Sequence, residues 1–161
     1  DVMDAVEASP KPCVFVYEQR YPEEIAGKVG LAGGNMVTAL KSMGCVGAVS
    51  NGPSRDLDEI RPMGFQYLLS GATAGHGDMA VHAVNVPVSV GGMDVNPGEL
   101  IHMDENGAVK FPADKLQAVH DNAVELQKEE EQRMGLLAKA KTAAEIREIF
   151  GSHSYTSKND K

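Results

Sequence analysis

The chain has 161 residues, 42% of them apolar, and a formal net charge of −8. That length is enough for one domain with a buried core. The acidic balance argues against non-specific binding to nucleic acid, and no apolar run is long enough to cross a bilayer. The sequence shows no secretory leader but begins at Asp1 rather than at a methionine, so nothing about targeting is read from its start.

Taken in chain order, residues 2–8 read as helix, broken by Ser9-Pro10-Lys11-Pro12. Cys13-Val14-Phe15-Val16-Tyr17 is a buried strand, followed by a polar loop rich in Glu, Gly and Pro. Residues 35–43 read as a helix stopped by Gly44, and Cys45 to Ser50 as a second buried strand. A turn of helix is expected near 56–60, closed by Pro62, then a third strand over 65–69. Gly71 to Asp78 is a glycine-rich loop, and Val81 to Val90 is β-rich. Gly91-Gly92, Asn96-Pro97-Gly98 and Glu105-Asn106-Gly107 are turn signals, the last between hairpin strands 100–103 and 108–111. A long helix opens after Pro112-Ala113-Asp114, with Leu116, Val119, Ala123 and Leu126 on one apolar stripe. The charge run 128–133 reads as a solvated helix face. Thr142 caps a further helix through Phe150, and the tail after Gly151 is polar and expected to be mobile.

The strand–helix–strand unit over 13–50 should have parallel strands and a right-handed crossover. The helix N-terminus and the end of the second strand then share one sheet edge. The amides around Gly34-Asn35-Met36 therefore meet the side chains of Arg55 and Asp56. Helix-start amides bind anions, arginine binds carboxylates through two parallel hydrogen bonds, and aspartate can hold a divalent metal. Together they form a site for a small oxo-acid. Asp56 is equally suited to cap the short helix after it, and the two roles are compatible. His76, between Gly75 and Gly77, is either a proton carrier or a loop histidine tolerating unusual backbone, with the second reading slightly ahead. Cys13 and Cys45 each open an apolar strand and read as reduced, buried thiols of a cytosolic protein. Parallel neighbours could bring them close, but a disulfide is not expected.

The order Gly33-Gly34-Asn35, Gly44-Cys45-Val46-Gly47-Ala48-Val49, Asn51-Gly52-Pro53-Ser54-Arg55-Asp56, Pro87 to Gly92, Asn96-Pro97-Gly98-Glu99 and Asp104-Glu105-Asn106-Gly107 resembles the regulator-of-ribonuclease-activity-A-like family, which includes the class II 4-hydroxy-4-methyl-2-oxoglutarate aldolases. The resemblance covers roughly residues 1–135. It implies a compact α/β layered sandwich of swivelling-domain type, assembled as a homotrimer or hexamer, with a single catalytic domain over 1–135. A C-terminal helical extension and tail occupy 136–161, and the long C-terminal helix with residues 142–150 is expected to extend an oligomer interface, which deleting 128–161 and measuring mass by light scattering would test. Family members usually have a further N-terminal segment before the position of Asp1.

By the same resemblance, Arg55 binds the pyruvyl group of a small 2-oxo acid. Gly33, Gly34, Asn35 and Met36 form the amide stretch that receives its carboxylate. Asp56 anchors Mg2+ or Mn2+. Well-characterised aldolases carry aspartate where this chain has Gly34. Another subgroup has glycine there and an acidic residue three positions after the aspartate, which here is Glu59, beside Asp58. The implied activity is a metal-dependent lyase that releases pyruvate by retro-aldol cleavage or decarboxylates oxaloacetate, with no nucleic-acid or membrane partner. The rival reading is a non-catalytic trimeric regulator of a ribonuclease. A methyltransferase reading lacks support, because no glycine-rich nucleotide loop follows the first strand.

Overall fold

The computed structural model describes residues 1–152, which divide into two compact units, Asp1–Ala113 and a second beginning at Asp114. The first unit starts with α1 (Val2–Ala8), β1 (Cys13–Tyr17) and a short α2 (Glu23–Ala26) within the polar loop. It continues through α3 (Gly34–Ser42), β2 (Cys45–Ser50), α4 (Leu57–Ile60) and β3 (Gln66–Leu68). The hairpins β4 (Val88–Val90) with β5 (Met93–Val95) and β6 (Leu100–Asp104) with β7 (Gly107–Phe111) complete it.

β1, β2 and β3 form a parallel sheet with β2 at its centre. Strand alternation assigns the side chains to two apolar layers. Cys13, Phe15 and Tyr17 join Cys45, Ala48 and Tyr67 on the helix-covered face, where they meet Val37 and Leu40 of α3. Val14, Val16, Val49 and Leu68 face the hairpins and meet Val88, Val90, Val95, Ile101 and Met103. The register of β1 against β2 slips once, so that Cys13 pairs with Cys45 but Val14 pairs with Gly47. Val46 is the extra residue, half exposed. Gly47 is needed where the sheet is crossed closely, since a Cβ there would lie 2.5 Å from the Gln66 carbonyl oxygen and 3.2 Å from Met103 Sδ.

The hairpin expected around Asn106-Gly107 is present as β6 and β7, and the Gly91-Gly92 turn signal proves to join a second one. Gly91 and Gly92, the two loop residues between Val90 and Met93, have φ of +57° and +83°, the left-handed pair that two-residue hairpins favour. Gly44 ends α3 at φ +89°, with its N–H on the Lys41 carbonyl. Leu40 is fully buried. Leu40→Ala should lower the unfolding free energy by about 2–5 kcal/mol, read from the midpoint of urea denaturation; a loss under about 1 kcal/mol would remove Leu40 from the core.

The β-rich expectation for Val81 to Val90 is corrected. Only Val88–Val90 is strand, and Met79, Val81, Val84 and Val86 are exposed on an irregular segment. Valine prefers a pleated, half-buried surface, and here no neighbouring strand supplies one.

In the second unit, a single 3-10 turn (Ala113–Lys115) leads into α5 (Leu116–Leu137), and α6 spans Ala143–Ser152. Thr142 Oγ1 accepts from the Glu145 N–H at 3.3 Å, and Glu145 Oε2 accepts from the Thr142 N–H at 3.0 Å, a reciprocal cap. The apolar stripe on α5 is only half covered, with Leu116 51% and Leu126 40% exposed. The tail expected to be mobile, including His153, lies outside the described residues apart from Gly151 and Ser152, which are helical.

Candidate functional site

The site forms where β2 ends and α3 begins. Ser54, fully buried, ties the two loops together: its hydroxyl donates to the Ala32 carbonyl at 3.0 Å. Its N–H donates to the Gly71 carbonyl at 3.1 Å, and its carbonyl accepts from Thr73 N–H at 2.9 Å. Arg55 leaves this anchored strand end and folds back across the glycine loop. Its Nη1 donates to the carbonyls of Gly30 at 2.6 Å and Leu31 at 3.1 Å. Two fixed bonds hold one arm of the guanidinium, and the side chain remains 27% exposed.

Asp56 takes the N-terminal backbone position of α4, its carbonyl accepting from Glu59 and Ile60 N–H groups at 3.0 Å. Its side chain makes no cap bond. Instead Oδ2 accepts from the Gly34 N–H at 2.9 Å and lies 3.8 Å from Arg55 Nε. The residue holds φ +61°, ψ +30°, a left-handed conformation that costs a non-glycine residue on the order of 1 kcal/mol and clusters at functional sites. Of its two compatible sequence roles, the backbone serves the helix and the carboxylate serves the cleft.

Gly33 and Gly34 leave the room that this arrangement needs. A Cβ at Gly33 would lie 2.4 Å from Asp56 Oδ2 and 3.1 Å from Arg55 Nε. A Cβ at Gly34 would lie 2.8 Å from Glu59 Oε2 and 3.7 Å from Asp56 Oδ2. Thus Arg55, Asp56 and Glu59 all face one small cradle over the start of α3. Of the expected amide stretch, Gly34 N–H is taken by Asp56, whereas among the described residues no hydrogen bond occupies the N–H groups of Asn35 and Met36. These two remain available to an anion at the positive end of the helix.

The donor chemistry of the cradle fits a hard divalent ion. Two carboxylates supply oxygen ligands, and glycines keep the space before them clear. Among the described residues no cluster of three or more His, Cys, Asp or Glu comes together. An ion held here would therefore use Asp56 and Glu59 and complete its shell with water, as magnesium commonly does.

Tyr17 and Tyr67 were not singled out by the sequence. Tyr17 ends β1 and Tyr67 lies mid-β3, on the two strands that flank β2, and their hydroxyls hydrogen-bond each other near Ser54 and Arg55. Burial raises both phenols above the usual tyrosine range, so both stay neutral. A tyrosine within each of two apolar strands was the available signal.

His76 is exposed, and its flanking glycines have a packing reason. A Cβ at Gly75 would lie 1.7 Å from the Lys28 carbonyl oxygen, and one at Gly77 2.8 Å from Val29 Cγ1. Packing therefore accounts for the two glycines of this segment. A concavity of about 640 Å3 runs along β3 between Leu57 and Leu69 and does not include Arg55 or Asp56.

Over residues 1–110 the sequence matches the family model described as RraA-like, aldolase/RraA. The chain belongs to the RraA-like family. This match coincides closely with the first structural unit. A putative 4-hydroxy-4-methyl-2-oxoglutarate aldolase from Halalkalibacterium halodurans is 30% identical over 104 residues, covering 64% of this chain and 50% of that protein. The structure of Streptomyces coelicolor RraAS2, described as an unusual member of the RNase ES inhibitor RraA protein family, superposes with a TM-score of 0.62 at 32% identity, over 80% of this chain and 65% of that one. An uncharacterised protein from Pseudomonas syringae pv. tomato superposes with a TM-score of 0.72 at 20% identity, over 92% of this chain and 68% of that one, which supports the fold alone. The matched segment spans from 18% to 52% of the length of the curated relatives. The RraA-like α/β fold, with a long C-terminal helix, is as the sequence leads one to expect.

Proposed function

We propose that this chain carries the active site of a divalent-metal-dependent lyase that cleaves 4-hydroxy-2-oxo acids to pyruvate by retro-aldol chemistry, decarboxylates oxaloacetate, or does both. The observation that carries the reading is the Asp56 carboxylate, turned away from its helix and held by the Gly34 amide beside Arg55 and Glu59. The putative aldolase among the relatives supports the same reaction class.

The substrate's carboxylate lies against the Asn35 and Met36 amides, with the free guanidinium arm of Arg55 toward its 2-oxo group. Water ordered by Glu59 takes the C4 hydroxyl proton, and C4 becomes the carbonyl of the released oxo acid as the C3–C4 bond breaks. The electron pair passes into a pyruvate enolate that takes a proton from water at C3. Arg55 offers fixed positive charge where that negative charge develops. Glu59 Oε2 reaches the cleft as an acceptor that orders water. A divalent ion held at Asp56 would supply Lewis-acid chemistry there. For this chain we take the assembly to be a homotrimer or hexamer, as the family resemblance implies.

The test is pyruvate release from oxaloacetate and from 4-hydroxy-4-methyl-2-oxoglutarate, with magnesium or manganese and then with excess chelator. Turnover should require the metal and fall by at least about 100-fold in Asp56→Ala. Likeness to RraAS2 favours the rival reading of a non-catalytic regulator of a ribonuclease. Absence of turnover together with absence of magnesium binding at Asp56 would select that reading.

A further inference from the structure

The opposite edge of the sheet holds a second chemically distinct arrangement. Cys13 and Cys45 open β1 and β2 and pair directly in register. Their Sγ atoms lie 3.2 Å apart, and both are free thiols. Adjacent strands put their Cα atoms about 4.8 Å apart, inside the span that a cystine bridges, and closing the bond requires the sulfurs to approach by only about 1 Å. The slip at Val46 falls immediately after this pair, so the strand is locally adjustable there.

The two sulfurs are unequal. Cys45 is 3% exposed, whereas Cys13 is only half buried. Lys11 Nζ lies 3.5 Å from Cys13 Sγ and is itself held by the Val6 carbonyl. That puts fixed positive charge beside the more accessible sulfur. Burial pushes the Cys45 thiol up to about 12, so it waits as the protonated partner.

We propose that Cys13 and Cys45 form a thiol–disulfide exchange site for small disulfides of the glutathione class, with Cys13 the attacking sulfur and Cys45 the resolving one. The Cys13 thiolate attacks one sulfur of the small disulfide, forming a mixed disulfide and displacing one thiolate. Cys45 gives its proton to solvent and attacks Cys13 Sγ. The Cys13–Cys45 bond forms, the mixed disulfide breaks, and the second small thiolate leaves and takes up a proton. Two protein thiols lose two electrons, and the small disulfide is reduced to two thiols. The inference does not depend on the lyase reading, because the pair lies at the strand openings and the Arg55/Asp56 cradle follows the far end of β2.

The full chain is incubated with oxidised glutathione, and its intact mass and free thiols are followed in time. Expected is loss of both thiols and of two hydrogens in mass, with no retained glutathione, no covalent dimer, and reversal by dithiothreitol. Cys45→Ser should retain one glutathione, mapped by peptide mass to Cys13. Cys13→Ser should react at least about tenfold more slowly than wild type, because its remaining sulfur is shielded and lacks the lysine contact. The wild-type product alone decides the matter should a variant fail to fold. Stable glutathionylation of wild type, disulfide-linked dimers, or unchanged thiols would each overturn the proposal.

Discussion

Arg55→Ala is expected to lower kcat/KM for pyruvate release by about 100- to 1,000-fold, the loss that follows removal of a donor aimed at developing negative charge. The guanidinium also spans the Gly30 and Leu31 carbonyls, so the same substitution loosens the glycine loop and costs about 1–3 kcal/mol of stability. The two effects separate in Arg55→Lys. An ammonium keeps the charge but cannot both span those carbonyls and present a second planar arm. Its kcat/KM should therefore stay at least about tenfold below wild type even where its Tm is restored. If Arg55→Ala remains within a few-fold of wild type, Arg55 does not act on the substrate.

Gly33→Ala is the second substitution with a large expected effect. Gly33 has ordinary backbone angles, φ −74° and ψ −166°, so alanine is not strained there. The damage is a collision: the new methyl group would sit 2.4 Å from Asp56 Oδ2 and 3.1 Å from both Cγ and Nε of Arg55. Asp56 is short and tied to Gly34, and Arg55 is tied to two carbonyls, so neither retreats without losing its bonds. Affinity for Mg2+ or Mn2+ should fall by about tenfold or more, measured by calorimetry, and Tm should fall as the displaced Asp56 and Arg55 bonds are lost. Gly34→Ala is the milder comparison, since it displaces only Glu59 and should lower metal affinity less than Gly33→Ala does. Its methyl group meets mainly Glu59 Oε2 at 2.8 Å, the far end of a flexible exposed side chain that can swing aside. Equal losses in the two variants would mean that the Gly33 contacts do not shape the site.

These contrasts show what could be read from residues and what could not. The strand–helix–strand unit was legible because Cys13 to Tyr17 and Cys45 to Ser50 are continuous apolar runs, as strands buried on both faces must be. The crossover geometry then brought Arg55 and Asp56 to the glycines without any knowledge of long-range packing. The use of the Gly34 amide was not legible. It depends on the left-handed turn at Asp56, which no spacing rule predicts. Nor was the irregular course of Met79 to Val86, whose apolar spacing is strand-like but whose backbone finds no neighbour to pair with. Local pattern specifies which face a residue wants; only the folded chain decides whether that face exists.

Val46 gives β2 a spare residue, with consequences for how the chain can change length. Deleting Val46 leaves Gly47, Ala48 and Val49 opposite the same partners in β1, with every inward side chain on its present face. Deleting Ala48, two residues on, would carry Val49 from the hairpin layer into the helix layer and turn Ser50 away from Tyr17. It would also draw the following Asn51–Asp56 loop back by about 3.3 Å, one strand rise, and pull Arg55 off its carbonyls. Length variation through a single-residue gap thus has an admissible place at the entrance of this strand and an inadmissible one at its middle.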